Sequence, residues 1–271
     1  MKINLKHFCH SPMVMILTLL LFLPGLSSSA SVADKGSYSS PGEVNKRILQ
    51  MKQQAGQAVK IHTLASSPGG TDLLMMEIGI ETGSESKKNP AILVTGNMDG
   101  TRPITTEAAL YLAEKLISDR SNYAELTWYI LPMGNPDAHS RFFEDILFVD
   151  SRNFAAHNDD MDELTDEDAY NDLDGNGLIT RMRVKSPDGT WVPVSDDPRL
   201  MRKAEYKDGE KGIYKLYYEG TDDDGDGEYN EDGQGGINVG IAFPHLFPQN
   251  EKEAGRWPGE TPEVFGILKF I

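Results

Sequence analysis

The apolar and polar positions near the start of the chain predict a helix followed by a β-hairpin. Apolar residues recur at helical spacing through residues 41–57, and Ser40 with Glu43 forms a capping-box pattern just before them. Residues 59–65 and 73–80 have the composition of two strands joined by a Pro-Gly-Gly turn.

The next stretch predicts two parallel strands connected by a helix. Residues 91–95 form a continuous apolar run typical of a strand buried on both faces, a helix begins at Pro103, and a second such strand covers 126–131. We therefore predict an α/β fold with a mixed, mostly parallel sheet flanked by helices. Ligands of such sheets bind beyond the carboxyl ends of the strands, here residues 96–102 and 133–138.

Acidic segments interrupt this pattern between about residues 150 and 236. Segments 158–168 and 222–232 place oxygen-bearing side chains at every second position, and residues 172–180 copy the first nine positions of a helix-loop-helix calcium loop. The closing glutamate of such a loop is absent, because Arg183 occupies its twelfth position. We predict calcium binding by Asp160, Asp162, Asp166, Asp172, Asp174, Asn176, Asp222, Asp224 and Asp226.

The net charge of −16 is concentrated in these segments, and the rest of the chain is nearly neutral. This local acidity argues against nucleic acid or an anionic membrane surface as a partner. The alternative is a solvated acidic linker, since blocks of like charge repel one another. Glycine and asparagine at the positions that a metal loop requires favour calcium-stabilised loops instead.

Residues 1–33 have the pattern of a secretory signal peptide. Basic residues precede an apolar run over residues 13–23, and Ala30 or Ala33 offers a cleavage site. The run is too short to span a membrane, which takes about 20 residues. We therefore expect a secreted or periplasmic protein consisting of residues 34–271.

Three motifs follow one another at the predicted strand ends. They are the loop at residues 95–103, the Asn-Pro-Asp sequence at 135–137, and the glycine-rich segment 235–245. In this order, with acidic segments between them, they resemble the zinc carboxypeptidase family of carboxypeptidase A-like metallopeptidases, and secreted bacterial members above all. The resemblance covers about residues 41–271. It implies zinc-dependent hydrolysis of carboxyl-terminal peptide bonds, and an incomplete domain over residues 34–271, because one zinc histidine and the catalytic glutamate of the family lie farther along.

Several positions that the resemblance marks as functional carry other residues. The two zinc ligands of the family's His-x-x-Glu motif correspond to Asp99 and Arg102. Aspartate could still bind zinc, but a guanidinium repels a cation, and the two side chains could pair with each other. The Asn-Arg pair that holds the substrate carboxylate corresponds to Gly240 and Ile241, which cannot bind an anion through their side chains. We therefore expect that zinc is not bound, that activity is lost, and that no residue is catalytic.

Other interpretations remain open at this point. Arg152 could bind substrate by resemblance, although an arginine beside acidic loops is more often an ion-pair partner. A groove for peptide or sugar could be lined by Trp128, Trp191, Trp257, Tyr214, Tyr217 and Tyr218. The alternation of Tyr214, Leu216 and Tyr218 is more simply the buried face of a strand. The chain could also lack a segment that completes a reorganised metal site with Asp99, or it could be a non-catalytic module that binds peptide or glycan in a calcium-dependent way.

Overall fold

The strands that can be described form two four-stranded sheets. The computed structural model describes residues 38–79, 90–123, 125–156, 165–166, 168–223, 225, 227–230, 233 and 235–271. Within these ranges the α-helices are α1 (Pro41–Ala55), α2 (Pro103–Ser118), α3 (Pro136–Ser140) and α4 (Pro262–Phe270). The strands are β1 (Val59–Ser66), β2 (Asp72–Ile78), β3 (Ala91–Thr95), β4 (Thr127–Leu131), β5 (Arg181–Lys185), β6 (Trp191–Pro193), β7 (Met201–Lys203) and β8 (Tyr214–Tyr218).

The first sheet, in the strand order β1–β2–β4–β3, is covered by helices on both faces. Neighbouring residues of a strand point to opposite faces, and β2 is buried on both. Met76 packs with apolar side chains of α1 and α2, whereas Met75 packs with Ile267 of α4. Burial of a side chain of this size stabilises the fold by roughly 1.5–3 kcal/mol.

The strand directions confirm a mixed α/β fold but correct one detail of the prediction. β3 and β4 are parallel, with α2 as their crossover, whereas β1–β2 and β2–β4 are antiparallel. The expectation of a mostly parallel sheet is therefore wrong for the described strands, because the tight turn after β1 reverses the chain. The prediction that β3 is buried on both faces is also wrong. Ile92 and Leu93 are 36% and 42% exposed, since β3 is an edge strand of the described sheet.

The second sheet, in the order β5–β8–β6–β7, lies within the predicted insertion over residues 150–236 and is antiparallel throughout. The alternation of apolar residues from Tyr214 to Tyr218 predicted a strand, and this strand is β8. The loop at residues 172–180 leads directly into β5, and residues 222–230 follow soon after β8. Two of the three acidic segments, at residues 172–180 and 222–232, thus lie next to strands of one small sheet.

The signal peptide predicted over residues 1–33 lies outside the described residues and stays a prediction. Among the residues that are described, no helix combines the length and the apolar character needed to cross a membrane.

Helix α4 approaches β1 so closely that Gly266 leaves no room for a side chain. A Cβ atom there would lie 2.4 Å from the Leu64 carbonyl oxygen. We expect Gly266→Ala to destabilise the protein by about 1–3 kcal/mol in urea unfolding, despite the better helix propensity of alanine. The matched control is Gly42→Ala in α1, where nothing lies within 4 Å, and it should be neutral or stabilising by up to about 1 kcal/mol. Equal effects of the two substitutions would contradict this packing.

Candidate functional site

Asn97 organises the loop that follows β3. Its backbone has a φ of 47°, and its side chain is buried. Its backbone NH donates to Thr105 Oγ1 at 3.0 Å. Its Oδ1 accepts from the backbone NH of Arg102 at 2.9 Å, and its Nδ2 lies 2.8 Å from His139 Nδ1. One asparagine therefore fixes the loop and ties it to α3.

His139 is a structural histidine in this arrangement. Since Nδ1 accepts from the Asn97 amide, the proton lies on Nε2, which donates to the Ser39 carbonyl oxygen at 2.9 Å. The ring is fully buried, and burial lowers the pKa of His139, so the neutral form is favoured. Both ring nitrogens are engaged within the protein, as expected for an ordinary hydrogen-bonded side chain.

Asp99 and Arg102, at the implied zinc-ligand positions, contact each other. Asp99 Oδ2 lies 3.4 Å from Arg102 Nε, and the side chains are 31% and 72% exposed. A pair this exposed contributes at most about 1 kcal/mol. A Cβ added to Gly240 would lie 3.8 Å from the Cα and Cβ atoms of Asp99. The structure therefore brings together one position of the implied zinc site and one of the implied substrate-carboxylate site.

The buried carboxylate of Asp137 holds the turn after β1 against α3. Its Oδ1 accepts from Ser67 Oγ at 2.5 Å, and its Oδ2 accepts from the backbone NH groups of Gly69 and Phe154, both at 3.0 Å. These three donors come from distant parts of the chain. Asp137 therefore positions the surroundings of the loop at residues 96–102.

Arg152 forms an ion pair with Asp150. The distance from Arg152 Nη2 to Asp150 Oδ2 is 2.9 Å, and the side chains are only 15% and 7% exposed. Arg152 Nη1 also donates to the Gly235 carbonyl oxygen at 3.3 Å. This geometry supports the ion-pair interpretation more than the substrate-binding one.

Glu263 is fully buried beside Asn153. Asn153 Nδ2 lies 3.1 Å and 3.2 Å from the two carboxylate oxygens. Burial raises the pKa of Glu263 above its ordinary value, because the charged form loses its hydration. Glu263 lies at the second position of α4, so it links that helix to the segment around Arg152.

The raised pKa of Glu263 predicts how the stability of the folded protein depends on pH. A carboxyl group whose pKa is higher in the folded than in the unfolded protein stabilises the fold below its unfolded pKa of about 4.3. This stabilisation is lost as the pH rises through the pKa of the folded state. Glu263→Gln should therefore gain stability relative to the wild type as pH rises, by on the order of 1 kcal/mol at neutral pH, measured by urea unfolding.

Glu43 in the first turn of α1 provides a control of opposite sign. Hydrogen bonds from the Ser40 hydroxyl and NH, at 2.7 Å and 2.8 Å, lower the pKa of Glu43. Its contribution is present above the unfolded pKa and lost as pH falls, so Glu43→Gln should be most costly at neutral pH. The same pH trend in both variants would contradict the assignment for Glu263.

The predicted loop at residues 172–180 is a tight turn around its first aspartate. The two carboxylate oxygens of Asp172 accept from the backbone NH groups of Asn176 at 3.0 Å and Gly177 at 2.8 Å, and Asp174 Oδ1 accepts from the Asn176 NH at 3.0 Å. Gly175 and Gly177 have φ angles of 70° and 78°, a region that favours glycine. The residue types and the conformation thus agree with the predicted loop.

Glu219 supplies the third carboxylate beside this loop, and it was not among the calcium ligands predicted from the sequence. Single carboxylate oxygens of Asp172, Asp174 and Glu219 lie within 4.8 Å of one another. Glu219 is buried and accepts from the backbone NH groups of Leu173 at 2.9 Å, Asp174 at 3.1 Å and Thr180 at 3.2 Å. The only signal in the sequence is a glutamate directly after a strand, whose pairing with β5 places it opposite Thr180.

The second described loop repeats this arrangement with a different buried acid. Asp222 accepts from the NH groups of Gly225 at 2.7 Å and Gly227 at 3.1 Å. Asp168, which is 1% exposed, accepts from the NH groups of Asp223 at 3.1 Å and Asn230 at 2.6 Å. Asp168 therefore supports the loop after β8, as Glu219 supports the loop before β5.

The structure unites only part of the predicted calcium ligands. Asp172 and Asp174 share a cluster with Glu219, and Asn176 donates its side-chain amide to Asp174 Oδ2 at 3.0 Å. Asp166 is half-buried with a φ of 58°, and it is not part of that cluster. Four further candidates lie outside the described residues: Asp160, Asp162, Asp224 and Asp226.

Comparison with known proteins agrees with the motifs. A family model described as zinc carboxypeptidase matches residues 44–171. The curated protein carboxypeptidase D of Drosophila melanogaster is 21% identical over 122 residues, which are 42% of this chain and 9% of that protein. Residues 44–171, just under half of the chain, are therefore similar to the zinc carboxypeptidase family.

Two solved structures are similar over part of their length. Bovine thrombin-activatable fibrinolysis inhibitor, in complex with tick carboxypeptidase inhibitor, matches at a TM-score of 0.46 and 14% identity over 86% of this chain and 55% of that one. Carboxypeptidase A from Helicoverpa armigera matches at 0.42 and 18% identity, over 49% of this chain and 34% of that one. The chain spans between 9% and 55% of the length of these three relatives.

The residues at the implied zinc position do not fit a catalytic zinc ion. Such an ion takes three protein ligands and keeps one position open for water. The loop after β3 offers one carboxylate, that of Asp99, and the guanidinium of Arg102 lies against it. His139, which contacts this loop, has both ring nitrogens in hydrogen bonds with Asn97 and Ser39.

Proposed function

We propose that this chain is an exported protein related to zinc carboxypeptidases that does not hydrolyse peptides at the loop after β3. The observation that carries the proposal is the contact between Asp99 and Arg102, which puts a permanent positive charge where a zinc ligand would stand. Gly240 and Ile241 support it, because neither side chain can hold a substrate carboxylate. The family relationship then concerns the scaffold rather than the chemistry.

The test is a zinc titration by calorimetry, combined with an assay on dipeptide and peptide substrates. We expect no zinc binding at this loop and no turnover that chelators abolish. The double variant Asp99→His/Arg102→Glu restores two ligand types, and it should bind zinc at least about tenfold more tightly than the wild type. Stoichiometric zinc in the wild type with chelator-sensitive turnover would overturn the proposal.

A second proposed function is calcium-dependent binding of a peptide or glycan. The cluster of Asp172, Asp174 and Glu219 favours it, because calcium takes six to eight oxygen ligands and this cluster, with Asn176 nearby, offers several. Glu219 would replace the glutamate that Arg183 excludes from the twelfth position. In this proposal, calcium orders the loops at the ends of the second sheet, and ligand binding is lost on calcium removal but is insensitive to zinc chelation.

Calcium should raise the melting temperature, because a ligand that binds only the native state stabilises it by about 2.7 kcal/mol at a hundred times its Kd. Asp174→Asn should reduce the calcium-induced shift by at least about half. Asp188→Asn, which removes an exposed acid from a turn outside the cluster, should leave the shift unchanged. A melting curve that does not move across millimolar calcium would contradict the proposal.

A further inference from the structure

One face of the second sheet carries basic and aromatic side chains and no acidic ones. Directly paired residues of antiparallel strands share a face, and the registers pair Arg181 with Tyr218 and Lys185 with Tyr214. Trp191 pairs with both Tyr214 and Lys203, which extends the same face to β7. Arg183 of β5 belongs to this face as well, because it lies two residues from Arg181. We call the set Arg181, Arg183, Lys185, Lys203, Trp191, Tyr214 and Tyr218 the basic face.

The aromatic rings of the basic face hold its cations in place. Arg181 Cζ lies 3.7 Å from the centre of the Tyr218 ring, and Arg183 Cζ lies 5.3 Å from that of Tyr214. Lys203 Nζ lies 5.8 Å from the Trp191 ring. A guanidinium stacked on a ring can still offer its N–H edge to a planar anion, as Arg181 does on Tyr218. Arg183 Nη1 already donates to the Pro198 carbonyl oxygen at 2.6 Å and lies 3.2 Å from Met201 Sδ, so an anion would bind Arg183 through its remaining N–H groups.

Within the described part of the chain, none of the four cations of the basic face forms an ion pair, although all four are exposed. Neighbouring arginines do find acids: Arg199 binds Asp197 at 2.8 Å, and Arg202 binds Glu210 at 2.6 Å. In a chain of net charge −16, acids are abundant, so four unpaired cations on one face are not explained by a shortage of partners. Their charge is complementary to an anionic ligand.

The spacing on β5 selects among anionic ligands. Arg181, Arg183 and Lys185 stand at alternate positions of an edge strand, so their side chains are roughly 7 Å apart along it. Alternate side chains of any extended peptide have this same spacing, and an edge strand can accept such a peptide through main-chain hydrogen bonds. We propose that the basic face binds an extended acidic peptide with carboxylates at every second residue.

Basic residues on an edge strand can also serve only to prevent aggregation. That role accounts for charges on β5, but it does not require the cations to be stacked on rings. The proposal deepens the second proposed function, because it names the surface and the chemistry of the partner. It uses no residue of the calcium cluster, so peptide binding and calcium binding can fail independently.

The test is fluorescence anisotropy with the full chain and two labelled eight-residue peptides of equal composition. One alternates glutamate and threonine, and the other has four glutamates followed by four threonines. We expect the alternating peptide to bind at least about tenfold more tightly, and Arg183→Glu/Lys185→Glu to abolish this preference. The control Lys46→Glu/Lys207→Glu makes the same charge change at exposed positions outside the face and should retain it.

The conservative variant Arg183→Lys/Lys185→Arg keeps both charges and should retain binding, which separates loss of contact from misfolding. Repetition with and without calcium tests the calcium proposal separately, since binding of the alternating peptide in both conditions supports the basic face alone. Equal affinity for both peptides, no binding of either, or tighter binding of a galacturonate oligosaccharide or a single-stranded oligonucleotide would overturn the inference.

Discussion

Buried carboxylates that accept backbone NH groups are the interaction on which this structure most depends. Asp137, Asp168 and Glu219 are at most 5% exposed, and each binds amides from segments far away in the sequence. A hydrogen bond to a charged group contributes about 1.5–3 kcal/mol, and its loss leaves an uncompensated charge in the interior. These hydrogen bonds therefore hold irregular loops that have little apolar surface to bury.

The same kind of interaction fixes the surroundings of the implied zinc site. Asn97 and His139 join the loop after β3 to α3 by a hydrogen bond, and Asp137 holds the turn after β1. Asp99 and Arg102 therefore stand on a loop whose conformation is set by hydrogen bonds of the Asn97 side chain.

Local patterns of the sequence were sufficient for most helices and strands, because each has its own signal. The capping box at Ser40 and the start of α2 at Pro103 depend only on nearby residues. The exposure of β3 and the role of Glu219 could not be predicted, since each is decided by which distant strand lies alongside. The loop around Asp172 was recognisable from its glycines, but the carboxylate that completes it comes from 45 residues farther along.

The two buried acids of the insertion are exchanged between its loops. Asp168 precedes the loop at residues 172–180 in sequence but secures the one at 222–230, and Glu219 precedes the latter but secures the former. Deletion of either loop would thus leave the buried acid that holds it without its backbone NH donors. Because each loop depends on an acid that lies beside the other, the two segments can be transferred to another scaffold only together.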